Sequence, residues 1–366
     1  MNRIRKGLSN ASASVLAILA GLLAGFVILL IANPQNAFLG LVTILKGGWN
    51  NGMKGVGQVL YYATPIIMTG LSVGFAFKTG MFNIGAAGQL MVGGFVSIYV
   101  GATWTFLPGA LHWMVALIMG MLAGMAWGTI VGLFKALLNV NEVITSIMLN
   151  YIGMYLINFT VKNSHLYDPL KNQTVNVAAS AVIPKGGLDE LFYIMKGRLR
   201  DVSSVNAGFL IAVGFAILIY IILTRTTFGY EMKACGYNPF ASRYAGISEK
   251  RAIILSMAIA GALSGTAGAL MYLAPASGMH IHVAEVLAPE GFNGIAVALL
   301  AMSNPIGIIF TGLFIAHITV GGAYLQSLRY VREVVEVIIG LIIYFSAFAL
   351  LVSQLMAADA SQANAP

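Results

Sequence analysis

Four neutral polar side chains stand out in an otherwise apolar chain: Asn83, Gln89, Asn150 and Asn293, with Ser72 and Thr145 near them in sequence. A carboxamide both donates and accepts, so a set of them in an apolar setting can hold an uncharged, hydrogen-bonding solute such as a nucleoside or a sugar. The same residues serve equally as interhelical glue, bonding to one another where water is absent. Charged groups are scarce in the apolar segments, which favours a neutral solute over an amino acid or an ion. Glu142 follows Asn141 at the start of one segment, where a helix N-terminus favours negative charge. Capping and gating are both open to it. His280 and His282 flank Ile281 without a neighbouring Cys or a third ligand, which reads as loop histidines rather than a metal site.

Several chemistries are missing. The chain contains no Gly-Lys-Ser or Gly-Lys-Thr, so it has no Walker-type cradle for nucleotide phosphates. H-E-x-x-H does not occur. Cys235 is the only cysteine, which excludes an intrachain disulfide. Asn158-Phe159-Thr160 and Asn172-Gln173-Thr174 match the glycosylation pattern, a short pattern that arises often by chance.

The elements that must position these residues are membrane helices. Of 366 residues, 59% are hydrophobic and only 9% charged, far below the charge of a soluble domain. The net charge of +8 is spread between apolar runs rather than clustered on a polar domain, which argues for topology and lipid headgroups and against nucleic acid. Apolar segments fall at roughly 13–32, 59–77, 84–101, 111–134, 143–161, 207–224, 252–273, 292–303, 306–323 and 334–353. The longer ones match the roughly 20 residues that cross a bilayer. The segment at 292–303 is too short and reads as a half-helix, interrupted by Ser303-Asn304-Pro305. The first is too long for a signal-peptide core and reads as a retained helix. The expectation is an all-α polytopic membrane protein with about ten transmembrane helices, some discontinuous.

Orientation rests on Lys and Arg at the segment ends. A cytoplasmic N-terminus places Arg3, Arg5, Lys6, Lys78, Lys135, Arg225, Lys233, Arg243, Lys250 and Arg251 inside. Lys46, Lys54, Arg329, Arg332 and six residues of the loop at 162–206 then lie outside, an even division unless that long loop is discounted. With Asp168, Asp189, Glu190 and Asp201, the loop suits an exposed lid or docking surface. Trp104, Phe106, His112 and Trp113 sit at the outer interface, and Arg329/Glu333 and Arg332/Glu336 have the spacing of helical ion pairs.

The stretch from Arg225 to Arg251 is the largest inward loop. Asn238 as N-cap, Pro239 at the first helical position and Gly246 at the exit describe a helix of about two turns. So short a helix needs a packing partner. Gly120, Gly124, Gly128 and Gly132 form consecutive G-x-x-x-G steps, with Gly261, Gly265 and Gly268 doing something similar later, either for static packing or a mobile interface. Phe82-Asn83-Ile84-Gly85-Ala86-Ala87-Gly88-Gln89-Leu90 also echoes Phe292-Asn293-Gly294-Ile295-Ala296-Val297-Ala298-Leu299-Leu300. Under this topology the two copies start at opposite faces, as in an inverted repeat whose substrate site lies near the midplane.

Three ordered blocks resemble the ABC-importer permeases for nucleosides and simple sugars, a family related to ribose-type and branched-chain amino acid permeases. They are Gly74 to Gln89 (GFAFKTGMFNIGAAGQ), Asn141 to Asn150 (NEVITSIMLN) and Pro289 to Leu300 (PEGFNGIAVALL). The resemblance spans roughly 55–350, and the first block is similar to the nucleoside branch, specifically the larger of two paired permeases. It implies one permease domain over 1–366: a first helix and outer segment (1–58), a first half of the core (59–161), an extracytoplasmic loop (162–206), a cytoplasmic coupling loop (225–251) and a second half (252–353). It also implies no cofactor on this chain, ATP and Mg²⁺ on a partner ATPase, a second permease subunit, an extracytoplasmic nucleoside-binding lipoprotein and a bacterial cell membrane location. The ATPase-coupling residues it implies are Glu231, Ala234, Gly236, Asn238, Pro239, Phe240, Arg243, Tyr244 and Gly246. Lys233 departs from the commoner arginine-alanine pair, keeping the charge and losing bidentate geometry. A simple-sugar permease is the near alternative. A secondary transporter or channel would more naturally carry intramembrane carboxylates, an intramembrane enzyme would need a nucleophile or metal ligands at depth, and a scaffold would need no facing polar residues.

Overall fold

A computed structural model describes residues 2–188, 203–275 and 278–347. The described chain is almost wholly helical, and every apolar segment forms a helix over its described residues. In order these are α1 (Asn2–Ala32), α2 (Ala37–Lys46), α3 (Gly52–Lys78), α4 (Ala86–Thr103), α5 (Gly109–Leu138), α6 (Glu142–Lys162), α7 (Gly208–Arg225), α8 (Thr227–Tyr237), α9 (Pro239–Tyr244), α10 (Glu249–Tyr272), α11 (Pro289–Leu300), α12 (Pro305–Ala323) and α13 (Arg332–Ala347). Seven helical stretches are long and apolar enough to cross a membrane, and the chain is a polytopic membrane protein.

The core is built around α3 and α10, the most buried of the long apolar helices. Lipid offers no hydrophobic drive between helices, so close backbone approach decides the packing. The two glycine stripes meet each other: an added Cβ on Gly124 would lie 2.5 Å from Gly265 Cα, and one on Gly128 would lie 2.9 Å from Gly261 Cα. Gly93 of α4 closes on Gly265 in the same way. The stripes are thus packing seams joining α4, α5 and α10.

The loop after α6 is a folded cap over the described part. Strands β1 (Tyr167–Asp168) and β2 (Gln173–Thr174) pair antiparallel. Thr174 N–H donates to Ile281 O at 2.9 Å, Val177 N–H to Met279 O at 3.1 Å and Ile183 N–H to Leu273 O at 2.8 Å. Leu166, Val177, Ile183, Ile281 and Val283 are buried beneath it. Neither glycosylation pattern is free. Asn158 is buried with its Nδ2 on Ala284 O (2.9 Å), and the Asn172 carboxamide is held by Tyr167 and Val283. Asp189, Glu190 and Asp201 lie outside the described residues.

One expected ion pair does not form. Arg329 and Glu333 are not joined, because Arg329 adopts a left-handed conformation (φ 64°) at the end of a short 3-10 turn and α13 starts only at Arg332. The Arg332 side chain lies outside the described residues. The internal echo also differs locally. Asn83 precedes α4 in an irregular link, whereas Asn293 is already inside α11.

Candidate functional site

The link between α3 and α4 carries a closed hydrogen-bond network. Asn83 Nδ2 donates to Ser72 Oγ (2.9 Å) and to Gln89 Oε1 (2.8 Å), while Asn83 Oδ1 accepts from Gln89 Nε2 at 3.1 Å. Ser264 of α10 donates to Ser72 Oγ at 2.8 Å, and Ser72 donates to Ala260 O at 2.6 Å. Asn150 of α6 accepts from Gly88 N–H at 2.8 Å and donates to Ile84 O at 3.1 Å. The Thr79 and Ser256 hydroxyls are bonded to each other nearby. Asn83, Gln89, Ser72 and Ser264 are wholly buried, and Asn150 nearly so. These bonds tie α3, α4, α6 and α10 together where water cannot. Asn83, Gln89 and Asn150 are therefore gathered in one place, with their carboxamides occupied by protein.

Asn293 stands apart. It lies half-buried on α11, and its side chain makes no hydrogen bond among the described residues. The depth of α11 is unusual. Thr69 Oγ1 donates to Glu290 O at 2.9 Å, and an added Cβ on Gly294 would meet Thr69 Cβ at 2.6 Å. Thr69 is nine residues from the end of α3, about 14 Å at 1.5 Å per residue. The chain from Ala284, which is bonded to the far end of α6, therefore descends to this depth before α11 starts with Pro289 at its first position. Irregular backbone at such depth is tolerated only when enclosed by protein or lining a cavity. Glu290 is buried on the first turn of α11, next to Asn293 and the exposed Phe292. Sequence reasoning passed over Glu290 as part of a matching block; a carboxylate opening an apolar twelve-residue helix was the signal.

At the end of the molecule that carries Lys78, the segment after α7 folds as two short helices. Thr226 caps α8, with Oγ1 accepting from Gly229 N–H at 3.0 Å. Asn238 caps α9, with Oδ1 accepting from Ala241 N–H at 3.0 Å and Pro239 in the first position. Gly246 exits in the left-handed region at φ 81°, with Ile247 N–H bonded to Ser242 O at 3.0 Å. Phe240 is 77% exposed and Tyr244 97% exposed, and Arg243 is exposed beside them. Glu231 is also exposed on α8, and Ala234 half-buried. Gly236 does the opposite and closes on the core: an added Cβ would lie 2.5 Å from the Thr79 carbonyl carbon. Cys235 is buried, and burial pushes its thiol pKa above the ordinary value.

Glu142 pairs with Lys135 Nζ at 2.9 Å across the turn joining α5 and α6, while Asn141 Oδ1 caps α6. The pair links α5 to α6 across that turn. His280 and His282 meet edge to face at 4.9 Å, and the described residues contain no group of three His, Cys, Asp or Glu able to hold a metal.

The family described as "Branched-chain amino acid transport system / permease component" matches residues 55–347. The chain belongs to this family. The permease is 34% identical to the guanosine ABC transporter permease protein NupP of Bacillus subtilis, over 93% of its own length and 94% of the relative's. It is 34% identical to the nucleoside ABC transporter permease protein NupB of Lactococcus lactis, over 93% and 92%. The glucose ABC transporter permease protein TsgB13 of Haloferax volcanii is 30% identical, over 90% and 85%. No solved structure matches the permease.

Proposed function

We propose that this chain is the transmembrane permease subunit of an ATP-binding cassette importer that carries nucleosides across a bacterial cell membrane. The end-to-end similarity to the guanosine and nucleoside permeases supports the substrate class, with the sugar permease more distant. The observation that carries the mechanism is the α8–α9 segment. Its capped helix presents exposed Phe240, Arg243 and Tyr244, while Gly236 is wedged against the core. Exposed aromatics on a short helix call for a partner, and a chain without a Walker motif takes its energy from one.

In this reading the partner is a cytoplasmic ABC ATPase, which binds the ATP and Mg²⁺; this chain holds no cofactor. ATPase closure pulls residues 239–245, and this permease rocks against a second, paralogous permease so that a shared cavity opens outward. Hydrolysis reverses the motion. An extracytoplasmic lipoprotein delivers the nucleoside over the 164–188 cap. The solute passes the first turn of α11, where Glu290 and Asn293 offer polar groups at depth and Phe292 an aromatic face. Asn83, Gln89 and Asn150 act behind that surface as the clamp fixing the helices that border it.

The same reading adds α1, the short α11 and α13 to the seven long spans, giving ten, with an inverted pseudo-repeat and a cytoplasmic N-terminus. The test is uptake of labelled nucleoside against labelled ribose in cells with and without this chain. Alanine at Phe240, Arg243 or Tyr244 is expected to abolish uptake while leaving membrane insertion intact. Normal uptake in all three variants would overturn the coupling role, and ribose uptake without nucleoside uptake would overturn the substrate.

A further inference from the structure

A cleft of about 270 Å³ opens beside the coupling segment, lined by Phe77, Lys78, Gly236, Tyr237, Leu299, Met302 and Ser303. Three elements meet there: the end of α3, the end of α8, and the turn joining α11 to α12. The electrostatics of this cleft are one-sided. Lys78 is half-buried and has no carboxylate partner among the described residues. Lys233 lies one helical turn before Gly236 on α8, half-buried and also without an acidic partner among the described residues, and adds a second positive charge beside the cleft. Positive charge gathered in partly desolvated surroundings without a carboxylate is unfavourable unless an anion joins it.

The turn across the cleft is held in a conformation that most residues avoid. Met302 and Ser303 are consecutive non-glycine residues at φ 50° and 54°. Such backbone persists where surrounding structure over-determines it, and it clusters at ligand sites. Here it turns α11 back into α12 and sets the Ser303 side chain at the cleft. Its hydroxyl makes no hydrogen bond among the described residues, so it is available as a donor. The wall is otherwise apolar, with Phe77, Leu299 and Met302, and Tyr237 stands 85% exposed at the rim.

We propose that this cleft binds a phosphate group, held by the Lys78 ammonium group and the Ser303 hydroxyl that line it, with Lys233 on the adjoining turn of α8 adding its charge. Two sources carry that chemistry: an anionic phospholipid headgroup and a soluble phosphorylated metabolite. The apolar wall and the position at the end of a membrane helix suit the lipid, since basic pockets between helices at the membrane surface capture headgroups. Because the cleft is bordered by the end of α8, the end of α3 and the α11–α12 turn, a bound phosphate braces the coupling segment against the other two. The proposal rests on the cleft and not on which solute is carried.

The experiment uses the whole transporter with its partner subunits, in nanodiscs of phosphatidylcholine with or without phosphatidylglycerol. Native mass spectrometry counts retained phosphatidylglycerol, and a parallel titration with guanosine monophosphate measures soluble phosphate binding. The single variants K78Q and K233Q are each expected to weaken phosphate retention about fivefold. The S303A variant, which keeps the cleft's charge, is expected to weaken it less. Phosphatidylglycerol lost in K78Q and K233Q identifies the lipid source; guanosine monophosphate binding lost in those variants identifies the soluble one. Retention of both ligands unchanged in K78Q and K233Q, with the complex intact by mass, would overturn the site.

Discussion

Replacing Asn83 separates two roles for the buried carboxamides. Asn83→Ala removes three hydrogen bonds and strands both amide atoms of Gln89, a residue with no exposure. Each stranded buried polar group costs about 1–3 kcal/mol, so the variant should lose about 2–5 kcal/mol of stability. Gln89→Ala strands Asn83 Oδ1 and one of its N–H groups, at a similar cost. The double variant leaves neither carboxamide behind, so its loss should fall short of the sum of the singles by about 2 kcal/mol. The assay is thermal or chemical unfolding of the purified protein in detergent, with all four members of the cycle measured together. Uptake per folded molecule supplies the second readout. A clamp predicts unchanged KM for nucleoside in whichever variants insert; a direct substrate contact predicts a raised KM. Additivity within about 0.5 kcal/mol, or a raised KM at full stability, would refute the clamp.

Three further outcomes follow from particular contacts. Gly124→Val places methyl groups where Gly265 Cα already stands, and the overpacking should cost at least about 1–3 kcal/mol, read as lost yield of folded protein in detergent. Cys235 should react with maleimide far more slowly at pH 7 than a cysteine placed at Tyr244, because it is buried and its raised pKa keeps the thiolate scarce; equal rates would contradict the burial. His280 has a pKa lowered by burial, with His282 and Lys171 adding to the effect, so the unfolded chain takes up the proton first. Its contribution to the cap is intact above pH 6.5 and is lost as pH falls below it, which hydrogen exchange at Ile281 and Val283 would register as faster opening.

The fold was legible where periodicity or capping governs it. The apolar runs became helices, and Asn238-Pro239 with Gly246 marked α9 to within a residue, because these signals act locally. The glycine stripes announced themselves one helix at a time, but nothing in a single sequence says that Gly124 faces Gly265, a partner 141 residues away. The same limit applies to the polar residues. Asn83 and Gln89 are six apart and joined directly, whereas Asn293, matched to Asn83 by the echo, belongs to another surface. A repeated motif fixes residue types, and their surroundings come from whichever helices arrive. Arg329 failed for a local reason that spacing ignores: a left-handed residue breaks the helical register on which an i,i+4 pair depends. Glu290 needed depth to be seen, and depth comes from α3.

A pull on α9 has a short path into the core, and its stiffness follows from glycine. Gly236 touches Thr79 and Gly80 backbone to backbone, with Gly80 itself at φ 79°, so no side chain can rotate to absorb a displacement. Thr79 is bonded to Ser256 of α10, and three residues beyond Gly80 stands Asn83, which binds α4 through Gln89 and α10 through the Ser72–Ser264 pair. A movement of α8 therefore reaches α3, α4 and α10 together rather than bending one helix. The α11–α12 turn lies on the other side of the cleft from Gly236, at the far end of the helix whose first turn carries Glu290 and Asn293. The α8–α9 segment thus bears on two features at once: the clamp that joins α3, α4 and α10, and the half-helix α11 proposed to meet the solute.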